Sequence, residues 1–126
     1  MYRCLLAATA ALAFSLPATA QVQRFFPHDA LRGTIAFGTP PELVLNGKPE
    51  RFAPGARIRG LNNMLEMSVG LVGLTATVNY TIDVSGLVMD VWILRKEEIA
   101  VSPWPTTADQ ARAWSFDPAA QTWTKP

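Results

Sequence analysis

Cysteine is almost absent from this chain: its one copy, Cys4, lies inside the first apolar stretch, so no intramolecular disulfide can form. Histidine is as scarce. His28 alone is present, which excludes Cys–His pairs and zinc sites of the usual His/Cys composition and leaves a Ser-His-Asp triad a single candidate base. That histidine sits in Phe25-Phe26-Pro27-His28-Asp29, whose plainer reading is a surface turn. Charge of one sign is lacking too, since 11 Lys and Arg stand against 10 Asp and Glu with no block of either. Nucleic acids and anionic membranes call for a concentrated basic face, and the chain-wide balance offers none. There is no phosphate-cradling glycine loop and no haem-attachment motif, so no cofactor is expected.

A long hydrophobic run occurs once. Met1-Tyr2-Arg3 gives a short basic start, Cys4 to Leu16 is almost wholly apolar, and Pro17-Ala18-Thr19-Ala20 ends in an A-x-A pattern before Gln21. These are the parts of a cleavable secretory signal peptide over residues 1–20. The run is shorter than the roughly 20 residues that cross a bilayer, so a retained anchor is the lesser reading and no transmembrane segment is expected after cleavage. The expected setting is periplasmic or secreted. Residues 21–126 then make one domain by length, large enough to bury a single core without crosslinks.

Residues 21–30 show no clear period and read either as an ordered lead-in or as a loosely attached arm. An antiparallel β domain is expected over 31–100. Leu31, Gly33, Ile35 and Phe37 alternate with Arg32, Thr34 and Ala36, as in a strand with one buried face. Asn46-Gly47 is a strong hairpin signal, Pro49 assigns the return strand to an edge or a bulge, and Ala53-Pro54-Gly55 reads as a tight turn before a short strand Ala56 to Arg59. Ala76, Val78, Tyr80 and Ile82, then Leu87, Met89, Val91 and Ile93, form a hairpin around Asp83 to Gly86, with Ile82 facing Leu87 and Tyr80 facing Met89. Val88, Trp92 and Leu94 make the second of these strands apolar on both sides, hence central. Residues 101–126 are a Pro/Trp-rich segment expected to pack on that domain, with a helix start at Thr106 and Asp109. The fold class that follows is mainly β: a small antiparallel β-roll or partly open barrel with a short C-terminal helix.

Four groups of residues are candidates for function. Trp104, Trp114 and Trp123 in the tail, with Trp92, form either a core or lid, which a disulfide-free domain needs, or an aromatic binding platform. Arg57 and Arg59 flank Ile58 and so share a strand face near the Asn62-Asn63 loop, suited to a carboxylate or glycan, although pairing with Glu50 or Glu66 is the plainer reading. Asp90, among apolar neighbours and opposite Asn79 in the expected register, invites a general-acid role, with structural pairing favoured. Met64, Met67 and His28, joined by Met89 and Trp92, form a weak soft-ligand set for Cu(I).

Leu31-Arg32-Gly33-Thr34, the run Pro41 to Pro49, Pro54-Gly55-Ala56-Arg57-Ile58-Arg59, and Val78-Asn79-Tyr80-Thr81 through Asp90-Val91-Trp92-Ile93-Leu94 resemble a group of small exported proteins from β-proteobacteria. The resemblance covers about Leu31 to Ile99 and implies a periplasmic setting rather than an activity. The hairpin Asn79 to Leu94 is also faintly similar to the closing hairpin of TonB C-terminal domains, through a strand-turn-Gly-strand pattern that carries over no residue roles. The leading expectation is a non-enzymatic binding or structural module of the cell envelope, whose partner is an envelope protein or a cell-wall ligand. The alternative is a small-ligand or Cu(I) carrier using Met and Trp side chains. A carboxylate hydrolase pairing Asp90 with Glu66 comes third.

Overall fold

The structure, a computed structural model, describes residues 22–126; the expected signal segment 1–20 lies outside the described residues. Strand β1 (Leu31–Phe37) follows its period-two sequence and buries Leu31, Ile35 and Phe37. Asn46 and Gly47 take φ values of 52° and 81°, which the tight turn between β2 (Glu42–Leu45) and β3 (Lys48–Arg59) requires. Pro49 sits where β3 has β2 as its one neighbour, so its missing N–H costs no ladder bond.

The expected turn at Ala53-Pro54-Gly55 is instead an irregularity inside one long strand. Gly55, at φ 78°, lets β3 bend, and the pairing shifts between Phe52 and Arg57. The first half of β3 pairs with β2 and the second half with β6 (Val88–Ile93). That second pairing is parallel, the one departure from an antiparallel sheet.

Strands β5 (Thr75–Ile82) and β6 form the expected hairpin, with Gly86 at φ 83° in the loop and Asp83 Oδ1 accepting from the Ser85 and Leu87 amides. The register differs from the simple alternation. Tyr80 faces Val91 and Val78 faces Ile93, while Ile82 faces Val88. Two residues, Met89 and Asp90, therefore stand opposite the single residue Thr81, and this bulge turns both Val88 and Val91 into the core. Asp90 consequently faces Thr81, and Asn79 faces Trp92.

The order β2-β1-β5-β6-β3, with β2 also paired to β3, closes five strands into a barrel. A two-residue strand β4 (Leu65–Glu66) adds to β3 outside the closure, followed by a 3₁₀ turn at Ser68–Leu71. The fold class is the expected small β-barrel, closed rather than partly open. Its interior holds Ile35, Val78, Val88 and Val91, all fully buried.

A second core lies on the outer side of β5 and β6. Phe26, Ala30, Trp92, Leu94, Trp104 and Trp123 are buried there, so the N-terminal segment is an ordered lead-in. The tail covers it. After α1 (Lys96–Ile99), Thr107 caps α2 (Ala108–Ala113) by accepting from the Gln110 amide, one residue later than the sequence suggests. Strands β7 (Ser115–Asp117) and β8 (Thr122–Thr124) then fold back as a hairpin around Asp117, whose Oδ1 accepts from the Ala119 and Ala120 amides. Among the described residues no helix is long and apolar enough to cross a membrane.

Candidate functional site

The lead-in chain, Gln23 to Pro27, runs between two clefts. The larger, about 520 Å³, is lined by Arg24, Arg32, Arg95, Glu98, Trp104 and other residues. Arg24, Arg32, Arg95 and Glu98 in that lining are already engaged in the fold. Arg24 is 5% exposed and uses its whole guanidinium: Nε donates to Glu98 Oε2 at 2.9 Å, Nη1 to the Gly60 carbonyl at 2.9 Å, and Nη2 to the Ile93 carbonyl at 2.8 Å and to Glu98 Oε1. Arg32 closes the end of α1, donating to the carbonyls of Glu98 at 3.0 Å and Val101 at 2.6 Å while lying over the Trp104 ring at 5.0 Å. Burial pulls the Arg32 guanidinium below its usual value, with the charge of Glu98 opposing.

Burial pushes the Glu98 carboxyl up. The Arg24 hydrogen bond, the Arg95 amide and the charges of both arginines outweigh it, leaving Glu98 below the ordinary carboxylate range. A lowered folded-state value means that Glu98 stabilises the fold above its unfolded value, near 4.5, and that this stabilisation is lost as the pH falls through the folded value. The urea midpoint therefore drops in acid below that range, and Glu98→Gln, less stable at neutral pH, shows a flatter profile; urea titrations across pH read both effects.

The second cleft, about 450 Å³, is built differently, with Gln23, Arg57, Arg59, Asn63, Asp90 and Trp92 in its lining. Parallel pairing sets Arg57 beside Asp90 and Arg59 beside Trp92, so four candidate side chains share one sheet face. Arg57 Nε reaches Asp90 Oδ1 at 3.0 Å. Arg59 lies 3.9 Å from the same oxygen, too far for a hydrogen bond, and its guanidinium stands over the Trp92 ring at 5.7 Å. Thr81 Oγ1 donates to Asp90 Oδ2 at 3.3 Å. One carboxylate thus serves two guanidiniums, and the site carries an uncompensated cation on a stacked aromatic floor.

A third cleft lies over β2 and β3, at the loops before β2 and before β6, with Glu42, Glu50 and Arg51 in its lining. Its lining carries two carboxylates, one guanidinium and no aromatic ring.

The structure joins some of the candidates and separates others. Arg57 and Arg59 do share a face, and their partner is Asp90 rather than Glu50 or Glu66. Asn63, not Asn62, reaches the cleft; Asn62 Oδ1 accepts from the Met64 amide and holds the local turn. Trp104 and Trp123 do not form an exposed platform: they are 6% and 5% exposed because Phe26, Phe116 and each other enclose them, with ring centroids 4.6 to 6.0 Å apart. Trp114 is half-buried, with Lys125 Nζ 5.3 Å from its ring. His28, Met64 and Met67 are exposed, and Met89 is half-buried on β6. The Arg24–Glu98 pair escaped sequence reading because its two ordinary charged residues lie 74 positions apart.

Comparison with protein families, with curated proteins and with solved structures finds no match for this chain.

Proposed function

We propose that this chain is an exported, non-enzymatic binding module of the cell envelope that takes an oxyanion-bearing ligand, in the first instance a carboxylate, on the Arg57–Arg59 face. The observation that carries the reading is the shared carboxylate: Asp90 lies 3.0 Å from Arg57 and 3.9 Å from Arg59, so a planar guanidinium is left open to a ligand in a cleft. A guanidinium fork matches a carboxylate in two parallel hydrogen bonds, and Trp92 behind it excludes water from one side. Gln23 and Asn63 add amide groups at the rim, as recognition of a peptide or glycan requires. The signal-like first 20 residues and the resemblance to small exported proteins support the envelope setting.

Muramyl peptides offer a carboxylate next to amides and sugar hydroxyls and are the probe of choice. In isothermal titration against such a fragment, Arg59→Ala weakens binding by about 10- to 100-fold, the worth of charged hydrogen bonds. Arg59→Lys does not restore it, because an ammonium lacks the fork. Asp90→Asn shifts affinity the other way, since the ligand then meets no competing carboxylate. Equal affinity in wild type, Arg59→Ala and Asp90→Asn rejects the site.

A further inference from the structure

Exposed large apolar side chains are scattered over the described residues, from Val22 and Phe25 to Val84 and Ile99, but they are densest along one stretch. Leu61, Met64, Leu65, Met67, Val69 and Val72 are each between 51 and 77% exposed. Single exposed hydrophobes are ordinary, but six within 12 consecutive residues concentrate apolar surface on one loop. The pairing of β4 with β3 fixes how the patch meets the charged face. Leu65 stands beside Arg59 and Glu66 beside Ile58; Met67 follows in extended backbone before the 3₁₀ turn. Leu65 and Met67 thus lie on the same face as the two arginines, while Glu66, of opposite parity, turns away toward Gly60.

The charge pattern narrows the choice of occupant. The shared face carries Arg57 and Arg59 against the single carboxylate of Asp90, since Glu66 turns away, so it keeps a net positive charge. Arg95 Nε donates to the Leu61 carbonyl at 2.7 Å, adding a third cation at the root of the loop. Apolar tips with cations one side chain behind them match the boundary between acyl chains and lipid phosphates.

We infer that residues 61–72, together with Arg57 and Arg59, dock this protein on the surface of an anionic bilayer, with the apolar side chains entering at the acyl boundary and the guanidiniums meeting lipid phosphates. The preference for anionic lipid rests on the arginine face proposed above; adsorption itself rests on the apolar loop. The whole-chain charge balance conceals this arrangement because it averages over every face.

The test uses the chain from Gln21 to Pro126, whose described residues contain both cores. It is sedimented with vesicles of phosphatidylethanolamine and phosphatidylglycerol, and with vesicles of phosphatidylcholine alone. Wild type binds the phosphatidylglycerol vesicles more tightly, and salt weakens that preference. Replacing Leu65, Met67 and Val69 together by serine lowers partitioning at least ~10-fold while circular dichroism stays native, because all three side chains are exposed. Arg57→Gln with Arg59→Gln reduces binding to the phosphatidylcholine level. Failure of wild type to sediment with either vesicle, unchanged partitioning of the serine variant, or a serine-sensitive dimer as the sole association in sedimentation velocity overturns docking. Muramyl-peptide binding lost with serine-sensitive sedimentation retained sinks the carboxylate reading and leaves docking standing; the converse sinks docking alone.

Discussion

Arg24→Ala lowers the stability of the fold by about 3–5 kcal/mol, the cost of removing one partner from a buried ion pair. The side chains of Arg24 and Glu98 are 3% and 14% exposed, and without Arg24 the Glu98 side chain keeps the Arg95 amide as its donor at the edge of the cleft. The carbonyls of Gly60 and Ile93 lose their donor at the same stroke. For a domain of this length the melting temperature falls by at least ~12 °C, which differential scanning calorimetry reads directly. Arg24→Lys recovers little, because one ammonium cannot span Glu98 and two carbonyls set around a planar fork. Arg24→Met combined with Glu98→Leu is more stable than Arg24→Ala, since no charge is then left buried. A melting temperature unchanged by Arg24→Ala rules out the pair as the fastening of the lead-in.

Trp104→Ala has an effect of similar size for a different reason. Its indole contacts Phe26, Phe116 and Trp123 at centroid distances of 5.8 to 6.0 Å, supports Arg32, and donates from Nε1 to the Ala30 carbonyl at 3.0 Å. Removing it opens a cavity where the lead-in and the tail hairpin meet, at a cost of about 3–5 kcal/mol. Urea unfolding measures the loss, and limited proteolysis locates it, with cleavage appearing first between Trp114 and Pro126. An intact tail and unchanged urea midpoint would show that Trp104 is not part of the core.

Local signals were the legible ones. Asn46-Gly47 and Asp83 to Gly86 announced their turns because each is specified by residues within four positions, and β6 read as central because Val88, Trp92 and Leu94 made both its faces apolar. Alternation assigned the buried face of β1 but missed the bulge at Met89-Asp90, since an inserted residue leaves composition unchanged while moving every later partner. Pro54-Gly55 carried the letters of a turn, and only the pairing of its two flanks with different strands makes it a bend within β3. The parallel contact between β3 and β6 has no local signature. Arg57 and Arg59 were legible as neighbours on a face; Asp90, more than 30 residues away, needed the barrel to bring it to them.

The second core has a consequence for a chain that emerges from the ribosome N-terminus first. Phe26 is enclosed by Trp92 and Trp104, and its amide donates to Gln121 Oε1 at 2.8 Å across 95 residues. Residues near the start of the described chain are therefore completed by nearly the last. Until the tail hairpin is free, the outer side of β5 and β6 stays uncovered, and a partly delivered chain remains open enough to be threaded or to be held by a chaperone.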